Sequence, residues 1–170
     1  LHITNFNERH NGRLFFNTGR RINNGFIRLN HSVLTISDRD IQSYHRSLKD
    51  FDGSQKLNNK LIETISNYVP DIIALGHADL INVKTLKFIK ENYPNIKIMQ
   101  WFLDKMTEEW GKNKSRFLDK INLMDCNFCT TSPDALSFSK KNKVYFIPNP
   151  SDISFETLKC YENKHPLYDL

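Results

Sequence analysis

The sequence predicts an α/β domain of Rossmann-like type, a doubly wound parallel sheet of about six strands with helices on both faces. Short apolar segments of strand length alternate with amphipathic helical segments along the chain. The strand segments lack a regular polar face, which is typical of parallel strands that are covered on both sides. Right-handed crossovers between such strands produce a doubly wound sheet.

Six segments have the length and apolar character of buried strands. Polar residues follow most of them, as expected where a strand ends in a loop. The predicted strands are Leu1–Phe6, Ser32–Ile36, Asp71–Leu75, Ile96–Leu103, Cys126–Thr131 and Val144–Ile147.

The intervening segments have apolar residues at steps of three and four, which is the helical period. Four helices follow from these steps: Phe15 to Leu29, Leu57 to Tyr68 before Pro70, Val83 to Ile89 before Pro94, and Phe117 to Met124. Ser132-Pro133-Asp134 has the residue types that begin a helix, namely a cap, a proline and an acid. A last helix is predicted from Ser154 to Tyr161.

The composition is that of a globular protein, and 170 residues suit one compact domain. No run of about 18 apolar residues predicts a membrane-spanning helix, and no secretory signal is recognisable. The net charge of +5 is compatible with weak attraction to phosphorylated ligands or to an anionic membrane surface. A Lys- and Asn-rich surface without a special role explains it more simply. No dense basic stripe with interleaved aromatic residues predicts nucleic-acid binding.

The three cysteines, Cys126, Cys129 and Cys160, predict free thiols in a reducing compartment such as the cytoplasm. Cys126 and Cys129 form a lone C-x-x-C within a predicted strand, where residues three apart point to opposite faces. Structural cysteines are therefore favoured over a redox pair or a metal site. No other metal-ligand spacing is present, and no cofactor is predicted.

Ligands of doubly wound sheets bind beyond the carboxyl ends of the strands, and this rule selects the candidate site residues. His77 follows the third strand, and its imidazole could act as a base or bind a sugar hydroxyl. Gly76 before it would leave room for a ligand beside the backbone. Asp104 ends the fourth strand, where a carboxylate can accept a proton. We expect His77→Ala to lower turnover far more than stability.

The remaining candidates follow other strands of the same edge. A tight turn explains Gly12 as well as ligand contact does, and Asp79 could instead cap the next helix. Ser37-Asp38-Arg39-Asp40 has the position of a ribose-binding acid, but without a glycine fingerprint we favour a solvated loop. The candidate substrate-binding residues are Asn11, Gly12, Arg13, Asp79, Thr131 and Asn149.

The segment Val144-Tyr145-Phe146-Ile147-Pro148-Asn149-Pro150-Ser151-Asp152 resembles the apolar-Pro-Asn-x-x-Asp segment that links the two domains of GT-B glycosyltransferases. The tail ending in Tyr168-Asp169-Leu170 is similar to the group related to spore-maturation proteins, in which such a segment opens the donor-binding domain. The strand ending in His77, and Trp101-Phe102-Leu103-Asp104, resemble strand ends of the same group. Asn11-Gly12-Arg13 matches the position of the family's first loop, without the double glycine of many members.

This resemblance implies that residues 1–152 form the N-terminal, acceptor-side domain and that 153–170 lead into a C-terminal donor-binding domain. The whole protein would then move a sugar from a nucleotide-sugar to a hydroxyl of a sugar, lipid or protein acceptor, in the cytoplasm or at the inner face of the membrane. Because the donor is held mainly by the second domain, this chain alone is expected to be inactive. Either His77 or Asp104 could be the base.

Two other functions remain open on the sequence. One is a non-catalytic binding or regulatory module of receiver-like or flavodoxin-like type, although the acidic cluster of receivers and the Ser/Thr-rich phosphate loop of flavodoxins are missing after the first strand. The other is a degenerate transferase domain that serves only in assembly.

Overall fold

A computed structural model describes residues 1–48, 50–106, 111–138 and 142–157. Six strands form one sheet in which every pairing is parallel. They are β1 (His2–Thr4), β2 (Thr35–Ser37), β3 (Ile72–Gly76), β4 (Lys97–Phe102), β5 (Cys126–Cys129) and β6 (Val144–Phe146). The predicted α/β fold with a parallel six-stranded sheet is therefore confirmed.

The strand order is β2-β1-β3-β4-β5-β6, and the sheet is open. The chain moves outward from β1 to β2 and then returns across β1 to β3. The topological switch point thus lies between β1 and β3, and ligands of doubly wound sheets bind beside such a point.

The described residues include five α-helices, which are α1 (Thr18–Arg28), α2 (Asp38–Tyr44), α3 (Ser54–Tyr68), α4 (Val83–Asn92) and α5 (Gly111–Leu118). Side chains that alternate along the strands pack against helices on opposite faces. Ile3, Ile73 and Ile98 join a buried cluster with α3 and α4, whereas His2 packs against Asn23 and Phe26 of α1. Among the described residues, no helix is long and apolar enough to cross a membrane.

The first predicted helix was placed too early. Phe15 and Phe16 are exposed and precede α1, which begins at Thr18 because the Asn17 side chain accepts a hydrogen bond from Arg20 N–H at 3.0 Å. An asparagine in this position caps the helix and fixes its start. Leu29 follows the helix and is also exposed.

The prediction of a solvated loop at Ser37-Asp38-Arg39-Asp40 is wrong. Asp38 begins α2, and both Asp38 and Asp40 are buried. Strand β2 correspondingly begins at Thr35, three residues later than predicted. The acidic residues stand in the first turn of α2, where they favour helix formation through the helix dipole.

The last predicted helices are shorter or absent. After α5 only a 3-10 turn, Ile121–Leu123, continues the fourth predicted helix, and Ser132-Pro133-Asp134 opens a 3-10 turn at Pro133–Ala135 in which Ser132 makes no capping hydrogen bond. Residues 153–155 form a turn rather than a helix. Glu156 and Thr157 are not helical either. Residues 158–161 of that prediction, which include Cys160, lie outside the described residues, as do Trp110 and Tyr168-Asp169-Leu170.

Candidate functional site

A polar cleft of about 400 Å³ opens at the carboxyl ends of β1, β3 and β4, beside the switch point. The loop after β1 and the first turn of α1 form one wall, and the residues after β3 and β4 form another. Its lining includes Asn5, Asn7, Arg9, Asn17, Thr18, Gly19, Arg39, His77, Leu103, Asp104 and Arg116. This is the edge on which the doubly wound topology predicts a ligand.

His77 is fixed by contacts on both sides of its ring. Its backbone is left-handed, with φ of 50°, and its ring stacks on Phe102 at a centroid distance of 4.1 Å. The Nε2 atom accepts a hydrogen bond from the backbone N–H of Leu103 at 3.0 Å. His77 thereby ties the end of β3 to the end of β4.

The contact with Leu103 determines which nitrogen of His77 carries the proton. An N–H donor requires an unprotonated Nε2, so the proton of the neutral ring lies on Nδ1. Burial lowers the pKa of His77, and the nearby Asp104 carboxylate opposes this shift without reversing it. The Nδ1 atom lies 3.6 Å from Asp104 Oδ2, and His77 therefore presents an N–H toward a carboxylate.

Asp104 is the more accessible member of the pair. Its side chain is 48% exposed, compared with 24% for His77. It lines the cleft directly after β4. Since Nε2 of His77 is occupied by the Leu103 amide and the ring is the less exposed group, Asp104 is the member of the pair whose oxygen atoms remain available to a ligand.

Gly76 does not leave room for a ligand. A Cβ atom at this position would overlap the indole ring of Trp101 and lie 2.7 Å from Thr4 Oγ1. Trp101 is itself buried, and its Nε1 donates to His2 Nε2 at 3.3 Å. The glycine is required by packing between neighbouring strands, and the expectation of ligand space beside it is wrong.

Asp79 holds two arginines of the cleft. Its Oδ2 accepts from Arg39 Nη2 at 2.7 Å, and its Oδ1 accepts from Arg116 Nε at 3.0 Å. It does not cap α4, because Asn82 is the cap residue and its side chain accepts from Thr85 N–H at 2.8 Å. Asp79 is therefore not part of the cleft lining, but it positions two arginines that are.

The loop after β1 is organised by the buried carboxylate of Asp40. It accepts hydrogen bonds from Glu8 N–H at 2.7 Å, from Arg9 N–H at 3.2 Å and from Arg9 Nη1 at 2.7 Å. The Ser37 hydroxyl also donates to it. Although burial alone would raise the pKa of Asp40, these donors hold it below its ordinary value. The ionised carboxylate fixes Arg9 at the cleft.

The other predicted site residues lie outside the cleft lining. Asn11, Gly12 and Arg13 form an exposed turn after a 3-10 helix, with positive φ at Asn11 and Gly12. Thr131 lies after β5, where its carbonyl accepts from Cys129 Sγ at 3.2 Å, and Asn149 is exposed after β6. The cleft lining thus includes the candidates His77 and Asp104 but not Gly12.

Sequence reasoning missed Asn5, Asn7, Arg9, Asn17, Arg39 and Arg116 as cleft residues. Asn5 and Asn7 directly follow β1, so the strand-end rule could have selected them. Arg116 comes from the last turn of α5, and no local signal distinguishes it from other basic helix residues.

The chain has no recognisable relative in three comparisons. No family model, no curated protein and no solved structure matches it.

The C-x-x-C cysteines are on opposite faces of β5, with Cys129 buried and Cys126 half-buried. Burial raises the pKa of both thiols, so neither is activated as a thiolate. Within the described part of the chain, no group of three or more His, Cys, Asp or Glu side chains could hold a metal ion.

The segment that carries the Pro-Asn-x-x-Asp pattern is fastened to α1. Arg28 donates to Asp152 through Nη1 at 2.9 Å and Nη2 at 2.8 Å, and Arg21 pairs with Glu156 at 2.6 Å. The Asp152 side chain is fully buried, and its hydrogen bonds with Arg28 hold its pKa far below the ordinary value. Asp152 thus anchors the chain after β6 against the first helix.

A second cavity, of about 380 Å³, lies at the opposite edge of the sheet. Leu1, Val33 and Ile72, near the amino ends of the first three strands, line it together with Phe26 and His2. Both ring nitrogens of His2 are engaged, by Asn23 and Trp101, and burial lowers its pKa to about 4. His2 is therefore not available for proton transfer in this cavity.

Proposed function

We propose that this chain is the acceptor-binding domain of a glycosyltransferase that moves a sugar from a nucleotide-sugar to an acceptor hydroxyl. The observation that carries the proposal is the His77–Asp104 pair, which lies in a polar cleft beside the switch point. A carboxylate oriented by a neutral imidazole is suited to accept a hydroxyl proton. The resemblance of the segment ending at Asp152 to the GT-B interdomain segment gives independent support.

In this proposal Asp104 is the base and His77 is a positioning residue. The acceptor oxygen bonds to the anomeric carbon of the donor sugar while the bond to the nucleotide diphosphate breaks. The hydroxyl proton passes to Asp104, and the nucleotide diphosphate leaves with the electron pair of the broken bond. The Nδ1–H of His77 orients the carboxylate. The free thiols of Cys126 and Cys129 fit a cytoplasmic protein.

The test is a transfer assay on the protein at its natural length, with a panel of nucleotide-sugars and hydroxyl-bearing acceptors. Asp104→Asn is expected to lower turnover by about 10²–10⁴-fold while leaving the melting temperature nearly unchanged, because Asp104 is half exposed. Asp134→Asn, at an exposed position outside the cleft, is the matched control. An active wild-type protein with an equally active Asp104→Asn variant would exclude this role.

The resemblance assigns donor binding to a second domain, so we expect the 170-residue chain alone to transfer no sugar. Catalysis requires both reactants in one cleft. Turnover by this chain above the blank would contradict that division of labour.

A second candidate is a non-catalytic binding module of flavodoxin-like type. The first five strands have the order β2-β1-β3-β4-β5, which is the flavodoxin-like order with its ligand site between β1 and β3. This candidate predicts that a ligand binds in the same cleft and that no sugar is transferred from any nucleotide-sugar. The transfer assay therefore separates the two functions.

A further inference from the structure

Two arginines of the cleft share a single carboxylate. Arg39 and Arg116 both pair with Asp79, at 2.7 Å and 3.0 Å. The Asp79 side chain is 21% exposed, whereas those of Arg39 and Arg116 are 39% and 35% exposed, and both arginines line the cleft. Because a guanidinium has five N–H donors, the pair keeps donors and a surplus positive charge after Asp79 is bound.

The other charges around the cleft are of both signs, so the feature that favours an anion here is the remaining N–H donors of the two guanidinium groups rather than the net charge. The ionisable residues in the cleft lining, apart from His77, are three arginines and Asp104, and Arg9 is neutralised by Asp40. Behind Asp79, the buried ammonium of Lys120 donates to the carbonyl of Ala78 and adds positive charge. The buried Asp38 lies beside Arg39 and opposes it in part.

The opposite wall also favours an anion. Thr18 and Gly19 of the first turn of α1 line the cleft. The Asn17 side chain caps the N–H of Arg20, and the first-turn amides before it have no partner within the helix. A helix N-terminus carries partial positive charge and binds phosphate groups readily. The arginine pair and the helix end thus face one cavity.

We propose that this cleft binds a phosphate group and that the acceptor is a phosphate ester such as a sugar phosphate. A phosphate monoester carries nearly two negative charges and three terminal oxygens. It can therefore accept from both guanidinium groups and from the helix amides at once, whereas a carboxylate has two oxygens and one charge. The role of this phosphate ester as the acceptor rests on the proposed function, whereas the binding of phosphate in the cleft does not.

The experiment is a titration of the 170-residue chain followed by 1H–15N NMR at constant ionic strength. The probes are glucose 6-phosphate, glucose, glucuronate and inorganic phosphate. We expect glucose 6-phosphate to shift the Nε–H signals of Arg39 and Arg116 and the amides of Thr18 and Gly19. Glucose should leave them unchanged. Glucuronate and inorganic phosphate should bind at least about tenfold more weakly, because glucuronate carries only one charge and inorganic phosphate lacks the sugar.

Variants assign the binding to the arginine pair. Arg39→Gln and Arg116→Gln should each weaken glucose 6-phosphate binding by about tenfold or more. Arg46→Gln, at an exposed position that does not line the cleft, should leave it unchanged. If a glutamine variant fails to fold, Arg39→Lys keeps the charge but loses the bidentate geometry, and it should still weaken binding.

Several outcomes would overturn the proposal. If saturating glucose 6-phosphate does not shift the Arg39 and Arg116 signals of the wild-type chain, the site is excluded. Equal binding of glucose or glucuronate excludes phosphate as the recognised group, and equal binding of inorganic phosphate excludes a phosphorylated acceptor. Because no donor sugar is present, phosphate binding together with a failed transfer assay would remove the proposed function while leaving the phosphate site intact.

Discussion

The Nε2 atom of His77 accepts a hydrogen bond from the backbone N–H of Leu103 at 3.0 Å. We therefore expect 15N NMR to show His77 as the neutral Nδ1–H tautomer near pH 7, with a pKa below the ordinary value of 6.5 because the ring is buried. The exposed His45 provides a comparison in the same spectra. A proton on Nε2, or titration above 6.5, would contradict this arrangement.

The same contact revises what His77 substitutions should do. His77→Ala removes the acceptor for Leu103 and the stack on Phe102, and we expect it to cost about 1–3 kcal/mol of stability. His77→Asn keeps a donor near the Nδ1 position and suits the left-handed backbone. If His77 positions Asp104, the Asn variant should retain more turnover than the Ala variant at equal folded fraction, as measured by parallel activity assays and thermal melts.

Two glycines provide a matched test of packing. Gly76→Ala places a Cβ against the Trp101 ring and should destabilise the protein by about 3 kcal/mol, because a central strand cannot shift without disturbing its neighbours. Gly25→Ala, within α1, meets no atom within 4 Å and should stabilise by about 0.5–1 kcal/mol through helix propensity. Urea denaturation measures both changes, and equal effects would mean that Trp101 does not occupy the space above Gly76.

Asp38 is expected to make stability depend on pH. Burial raises its pKa from 3.8 to about 6, so the folded protein binds a proton more tightly than the unfolded chain. Stability from this residue is therefore fully present below about pH 4 and is lost as the pH rises through 6. The loss should approach about 3 kcal/mol as an order of magnitude.

Asp38→Asn removes this titration. As the pH is raised from 4 to 7, the free energy of unfolding of this variant should increase relative to that of wild type, as measured by chemical denaturation across that range. Asp134→Asn, at an exposed position, should show no such trend. A constant difference between Asp38→Asn and wild type over the range would show that Asp38 is not titrating there.

The Arg28–Asp152 pair should behave as one unit. Asp152→Asn is expected to lower the melting temperature by about 3–8 °C, because the buried side chain loses two charge-assisted hydrogen bonds. Arg28→Gln should also lower the melting temperature. The double variant should lower it by less than the sum of the two single changes. Additive losses in this double-mutant cycle would mean that the two side chains do not stabilise the fold through each other.

Much of the fold could be predicted because parallel strands and amphipathic helices leave periodic apolar patterns. All six strands were found within a few residues of their observed positions, and the third and fourth strands were placed well because their apolar runs are continuous. Helix α2 was missed because its buried residues are polar: Asp38, Asp40 and Gln42. A sequence of polar residues predicts an exposed loop unless the hydrogen-bond partners that allow their side chains to be buried are known.

The sequence by itself determined the α/β class, the parallel sheet and the edge on which polar residues collect, because these follow from local periodicity and from where strands end. It also selected His77 and Asp104 as candidates, since each follows an apolar strand, and both line the cleft. Only the tertiary structure decided that the proton of the neutral His77 ring lies on Nδ1, because the Leu103 amide that occupies Nε2 is 26 residues away. It alone brought Arg39 and Arg116 to Asp79, since a contact between three separate segments depends on strand order and leaves no pattern in the chain.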